Sequence, residues 1–205
     1  MREHQEKKKK MSKIKLIVVI GRSASGKDTL VKGIVKKFPN LHPIIHYTTR
    51  PKRGNETGEE YHFISMDKYE RMVNNQEFFV TTCFNNWYYA IGLDSFEADK
   101  INIGVFNPIE LKRLMTTFSD LFDIYIVETV TDRATRYRRS LNRLNDHPFD
   151  DEGLKEMCRR DKADEEDFKI IENIPRAKLE TGDYFSYSEN QSFMAGLLYA
   201  LGYSD

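Results

Sequence analysis

Between Ile17 and Leu30 the chain reads Ile-Val-Val-Ile-Gly-Arg-Ser-Ala-Ser-Gly-Lys-Asp-Thr-Leu, and no other stretch limits the fold as much. An apolar, β-branched run ends at Gly21, four residues intervene, and Gly26-Lys27 opens a helical pattern. The spacing predicts strand, anion-cradling loop, helix. Glycines at both ends allow the close approach that turns successive backbone N–H groups toward one anion. The positive end of the following helix adds to that field. Gly21, Arg22, Ser23, Ala24, Ser25, Gly26, Lys27, Asp28 and Thr29 are therefore expected to hold the phosphates of a nucleoside triphosphate, with Lys27 reaching the outer ones. The residue after the lysine in such a loop is usually Ser or Thr, whose hydroxyl binds Mg²⁺. Here it is Asp28, followed by Thr29, and both are candidate metal ligands.

The chain has 205 residues, 40% of them hydrophobic, which suits one domain with a substantial core. Lys plus Arg and Asp plus Glu are both 32, so the net charge is zero. Duplex binders carry a basic excess, so nucleic acid is not the expected partner. Two cysteines, Cys83 and Cys158, lie far apart without metal-binding spacing, which fits a reducing cytoplasm. No apolar run reaches membrane-spanning length, so no membrane is expected. The segment 1–12 reads as a charged, solvated tail with Met11 as an alternative start, and 13–205 as the folded domain.

Along that domain, Asp28 to Phe38 has the apolar spacing of a helix ended by Pro39, and Pro43 to Thr48 reads as a second strand. Arg50 to Glu60 is an exposed loop, Tyr61 to Ile64 a strand, and Ser65 the cap of a helix to about Asn74. Glu77 to Phe84 and Trp87 to Ile91 form a hairpin about Asn85-Asn86. Ile101 to Phe106 is a buried-type strand, followed by a strong helix start at Asn107-Pro108-Ile109-Glu110. Asp123 to Val127 is a further strand, with polar helices from Thr131 to Leu144 and on to about Ile171. Asp183 to Tyr187 reads as the last strand, and Ser188 to Gln191 as the capping box of a final helix that packs Phe193, Leu197 and Leu201. Alternating strands and helices predict an α/β fold, a parallel sheet with helices on both faces.

A second cluster, Thr48-Thr49-Arg50-Pro51-Lys52-Arg53-Gly54 with Gly58 and Tyr61-His62-Phe63, suits a separate anion. Arginine forks grip phosphate oxygens in pairs, and a tyrosine hydroxyl adds a donor. A third crowds Arg133, Arg136, Arg138, Arg139 and Arg143 on one helix, with Arg159-Arg160 on the next. Like charges at helical spacing repel, so this density asks for an anion or for the nearby acids as partners.

Gly21 to Thr29, Thr48-Thr49-Arg50-x-x-Arg53, Gly58-x-x-Tyr61-x-Phe63-Ile64-Ser65, Glu77-Phe78 and Tyr88-Tyr89 together resemble the guanylate kinases in order and spacing. The likeness is close over Lys13 to Phe106 and loose beyond. It implies a P-loop NTPase three-layer fold with a parallel sheet core, an inserted acceptor-binding β lobe (about 44–98) and a helical lid (about 139–170). It implies transfer of the terminal phosphoryl group of ATP, with Mg²⁺, to a nucleoside monophosphate. Small-molecule nucleotides would be the partners, and the protein a monomer or homodimer. Arg50, Arg53, Tyr61 and Tyr89 would hold the acceptor phosphate, and Lys27, Arg143 and Arg160 would be catalytic. Where the family reads guanine, this chain has His46, Val80, Ile91 and Phe106 or Asn107. An apolar residue cannot replace an acid that accepts guanine N–H groups, so an altered base specificity is expected, with His46 and Val80 at the base. Thr81, Thr82, Asn85 and Asn86 are candidate substitutes. Gly-Lys-Asp in the loop and Tyr88-Tyr89-Ala90-Ile91-Gly92 also resemble ribose bisphosphate phosphokinase, and a non-catalytic guanylate-kinase-like binding module is the reading from another class.

Overall fold

A computed structural model describes residues 12–52, 56–84, 86–143, 151–182 and 187–204. Segment 1–11, Arg53, Asn85 and the expected strand start at Asp183 lie outside the described residues. Strand β1 (Ile14–Gly21) leads through the glycine loop into α1 (Lys27–Lys37). Short strands β2 (His42–Pro43), β3 (His46–Thr48) and β4 (Tyr61–Phe63) follow, then α2 (Met66–Asn74) and the hairpin β5 (Phe78–Phe84) and β6 (Trp87–Gly92). The chain continues through β7 (Asn102–Val105), α3 (Pro108–Thr117), β8 (Phe122–Val130), α4 (Arg133–Arg143), α5 (Asp151–Lys169), β9 (Ala177–Glu180) and α6 (Tyr187–Ala200).

The main sheet has five strands in the order β2-β7-β1-β8-β9, all parallel. Parallel strands are covered on both faces, which is why β1 reads as one apolar run. Alternation along it feeds two cores. Ile17 and Val19 join Leu30 and Ile34 of α1 and Met194 and Leu198 of α6 on one face. Leu16, Val18 and Ile20 join Leu111 and Leu114 of α3 and Phe168 of α5 on the other. The second sheet, β4-β3-β6-β5, is antiparallel except for the β3–β4 pair. Its own small core stacks Tyr69 of α2 on Tyr88, 4.7 Å between ring centres.

Local chemistry accounts for the boundaries. Ser65 accepts a bond from Lys68 N at 3.2 Å and caps α2. Asn107 and Glu110 exchange bonds of 2.8 Å each, a complete capping box, with Pro108 at the first helical position of α3.

Three sequence expectations need correction. The stretch Pro43 to Thr48 is not one strand: His42–Pro43 edges the main sheet, and His46–Thr48 belongs to the second. Proline suits such an edge, where its missing N–H costs no ladder bond. Among the described residues the last strand is Ala177–Glu180; of the segment expected as a strand, 183–186 lie outside the described residues and Tyr187 belongs to α6. Ser188 therefore lies inside the helix; Leu201 is buried and Leu197 packs against the core as expected, beside Met194 and Leu198. Phe193 faces solvent, 43% exposed.

Candidate active site

The loop between β1 and α1 fits a phosphate cradle on steric grounds. A Cβ at Gly21 would stand 2.2 Å from Thr129 Oγ1, so only glycine lets β1 approach β8 this closely. Gly26 turns into α1 with φ 92°, the left-handed region. Hydroxyls brace the loop from behind. Ser25 Oγ lies 2.7 Å from Thr129 Oγ1, and the Thr131 and Thr181 hydroxyls both bond the Ser25 carbonyl, at 3.2 and 2.5 Å. Lys27 Nζ donates to the carbonyls of Gly21 and Arg22 at 2.7 and 3.0 Å. The Ser23 N–H bonds the Asp164 carboxylate at 2.6 Å, so a loop amide already grips an anionic oxygen.

A cleft of about 560 Å³ is lined both by the glycine loop and by residues of the second cluster. Thr48 and Thr49 pin its arginine to the hairpin: Thr48 Oγ1 accepts from Arg50 N at 3.1 Å and donates to Tyr88 O, and Thr49 Oγ1 accepts from Tyr88 N. The Arg50 guanidinium, nearly buried, lies over the rings of Tyr61 and Phe63 at 5.3 and 5.4 Å. Its two arms reach Glu56 at 3.0 and 2.6 Å, the two-oxygen grip a phosphate would take. Tyr89 packs edge-on against Tyr61 at 6.0 Å. Burial, with the charge of nearby Asp28 next, pushes the Tyr61 hydroxyl up to about 12, so it stays a donor at neutral pH.

Of the sequence-expected residues, Gly21, Ser23, Ala24, Lys27, Asp28, His46, Arg50, Tyr61, Tyr89 and Arg160 line this cleft. Ser25 is buried behind the loop, and Arg22 lies over the Phe168 ring at 5.3 Å. Gly26 and Thr29 are not in the cleft wall, and of the two metal candidates only Asp28 is. Arg53 and the side chain of Arg143 lie outside the described residues. Val80 is displaced: it is 1% exposed, in the core with Ile44 and Phe106, and Thr82, one rung along the same face, meets the cleft.

The arginine helices are also more structural than their density suggested. Asp161, 3% exposed, bonds Arg136 at 2.8 Å, Arg133 at 2.6 Å and the Tyr137 hydroxyl at 2.8 Å. Burial raises its carboxyl, but these partners outweigh that and hold it below the usual range. Arg139 donates to the Thr181 and Ala24 carbonyls and so braces the glycine loop. Arg160 lines the cleft and bonds Glu156 at 2.7 Å. Sequence reading missed Glu56, Asp164 and Asp167 in the cleft wall, and took Glu110 only as a helix cap. Their signal was weak, since acids in loops and first turns are ordinary surface features.

A glycine loop joining a parallel strand to a helix, under a five-stranded parallel sheet, defines a P-loop NTPase-like α/β protein. A guanylate kinase family model matches residues 13–146, and the chain belongs to that family. It is 27% identical over 177 residues to the guanylate kinase of Nostoc sp., covering 81% of this chain and 86% of that one. It is 32% identical over 135 residues to the guanylate kinase of Prochlorococcus marinus, covering 63% and 72%. MAGUK p55 subfamily member 7 of Xenopus tropicalis is 28% identical over 169 residues, covering 76% of this chain and 29% of that one. A crystal structure of guanylate kinase from Anaplasma phagocytophilum shares the fold, with a TM-score of 0.58 at 15% identity over 94% of this chain and 89% of that one. The family acts on small nucleotides with ATP and Mg²⁺. No described helix is long and apolar enough to cross a membrane.

Proposed function

We propose that this protein catalyses phosphoryl transfer from ATP to a nucleoside monophosphate, giving ADP and a nucleoside diphosphate, with a base preference altered from that of its relatives. One observation carries the reading: Lys27 of the glycine loop and the Arg50, Tyr61 and Tyr89 cluster line the same cleft. Phosphoryl transfer needs positioning and charge neutralisation more than covalent help. Bound MgATP supplies the transferable γ-phosphoryl group. Loop amides from Gly21 to Thr29 and the Lys27 ammonium would hold its phosphates, and the Asp28 carboxylate in the cleft wall would offer a hard oxygen donor to Mg²⁺. Arg50, with Arg53 from sequence, exchanges its carboxylate partner for the acceptor phosphate, while Tyr61 and Tyr89 orient it. The acceptor phosphate is already an anion at neutral pH, so its oxygen attacks without a general base. Arg160 and Arg143 offset the charge that develops.

The test is an ATP-consumption screen across ribo- and deoxynucleoside monophosphates, with ribose 1,5-bisphosphate as a further acceptor. A nucleoside monophosphate should be turned over, and Lys27→Ala should abolish that turnover without moving the thermal midpoint. Wild-type rate in that variant would remove the proposed site. Turnover of the bisphosphate alone would transfer the activity to a sugar phosphate, and consumption of ATP with no acceptor would leave a binding module.

A further inference from the structure

Glu110 presents a nearly buried carboxylate, 4% exposed, in the wall of the cleft. Its capping duty uses one oxygen: Oε2 accepts the Asn107 N–H at 2.8 Å. The other, Oε1, takes a long bond of 3.4 Å from the Thr82 hydroxyl. A carboxylate has about four lone-pair sites, so acceptor capacity is left over. Facing it is His46, 9% exposed, whose Nε2 has no hydrogen-bond partner among the described residues. That nitrogen stands 3.8 Å from Glu110 Oε2, beyond bonding distance, with the Phe106 ring edge-on to the imidazole at 5.5 Å. A buried polar atom without a partner is costly, and buried polar groups are ordinarily satisfied. His46, Thr82, Phe106 and Glu110 all line the same cleft as Arg50 and Tyr61.

We infer that Glu110 and His46, with Thr82, form the base-reading site, and that they select a nucleobase with a lactam edge, an N–H beside a C=O. The inference rests on the kinase reading given above and names the class of its acceptor. In an amide edge the nitrogen and oxygen lie about 2.2 Å apart, from C=O and C–N bonds near 1.23 and 1.33 Å. His46 Nε2 stands 3.8 Å from Oε2, the Glu110 oxygen held by the cap, so the pair straddles such an edge, with the lightly used Oε1 as the acceptor. Glu110 accepts the ring N–H and His46 donates to the carbonyl. Adenine and cytosine show a bare ring nitrogen at that position, which sets a lone pair against the carboxylate. Val80, buried and apolar, offers no acceptor to an exocyclic amino group, so guanine and hypoxanthine bind alike. The carboxylate lost from the strand thus has a counterpart on the first turn of α3, in a different frame.

Glu110→Gln tests this without removing the cap. The Asn107 N–H needs an acceptor, so the glutamine oxygen takes the Oε2 position and its NH₂ takes Oε1, a donor now facing the ring N–H. Equilibrium binding of GMP, IMP, UMP, dTMP, AMP and CMP to the full chain and to the variant is the primary measurement. Ribose 5-phosphate serves as a probe without a base. In the wild type the tightest monophosphate should carry a lactam edge, with GMP and IMP within about threefold of one another. Glu110→Gln should cut the GMP-over-AMP or UMP-over-CMP preference at least tenfold while ribose 5-phosphate binds both proteins equally. His46→Phe should weaken the lactam nucleotide about tenfold, also sparing ribose 5-phosphate. An unchanged preference in Glu110→Gln, or AMP or CMP as the tightest ligand, overturns the inference even if transfer is observed. The expected preferences without any transfer would keep the inference and defeat the kinase reading alone.

Discussion

Arg50 is tied into the cleft wall by three sets of contacts. Its backbone N–H is held by Thr48, its guanidinium lies over the rings of Tyr61 and Phe63, and its two arms close on Glu56. Burial makes the guanidinium depend on a paired anion, because an unpaired buried charge is expensive. Hydrogen bonding to Glu56 raises its pKa further, so it carries a full charge at any working pH. Lysine at this position would keep the charge but lose both the fork and the ring contacts. One charged hydrogen bond contributes about 1.5 to 3 kcal/mol, or about tenfold to a hundredfold in affinity. Arg50→Lys is therefore expected to raise the acceptor KM by about that factor and leave the KM for ATP unchanged. Steady-state kinetics with each substrate varied separately checks it, and an unchanged acceptor KM would separate Arg50 from the acceptor. That a T-T-R run holds an anion was legible because the residue types state the chemistry. Glu56 was not, because its role depends on where an irregular loop returns, and no periodicity reports that.

Elements were legible in proportion to how much apolar surface they bury. Strand β1 and helix α1 bury residues in two cores and carry strong patterns, and α3 announces itself by a complete capping box. Strand β9 buries Leu179 among two charged residues and an alanine, so its four residues gave no alternation to read. Yet β9 has a function at element scale, since it delivers Thr181 to the back of the glycine loop. The Thr181 and Thr131 hydroxyls lie 2.6 Å apart and share the Ser25 carbonyl, and Arg139 of α4 bonds the Thr181 carbonyl. Three elements distant in sequence thus fix one turn. Thr181→Val keeps the shape and deletes the hydroxyl, removing one of two donors on the Ser25 carbonyl and leaving Thr131, a cost of about 0.5 to 1.5 kcal/mol. The thermal midpoint is expected to fall, and the KM for ATP to rise several-fold because the loop is no longer held in register. If stability falls while the KM for ATP stays put, the network supports the fold and not the cradle.

At the scale of the whole molecule the two sheets differ in how they keep protons. The tyrosines pushed up to about 12 both belong to the second sheet. Tyr47 is shifted by burial and by its 2.6 Å bond to Asp94, and Tyr61 by burial and the charge of Asp28. In the unfolded chain both titrate near about 10. Between pH 10 and 12 the folded state therefore holds protons that the unfolded chain has released. With the unfolded state binding fewer protons, unfolding free energy falls as pH rises, and the stabilisation present below pH 10 is gone above 12. The pair should cost on the order of 2 kcal/mol across that window after relaxation of the site. Because Tyr61 lines the cleft beside Arg50 and Tyr47 belongs to the same sheet, alkali is expected to abolish monophosphate binding before ATP binding. Urea unfolding followed at pH 9, 10 and 11, alongside binding of each nucleotide, reads both effects. The double variant Tyr47→Phe/Tyr61→Phe removes the titrating protons, so its stability should decline less steeply with pH than the wild type. Parallel curves for the two proteins would mean that these hydroxyls do not couple ionisation to folding, and the alkaline loss would then belong to groups elsewhere in the fold.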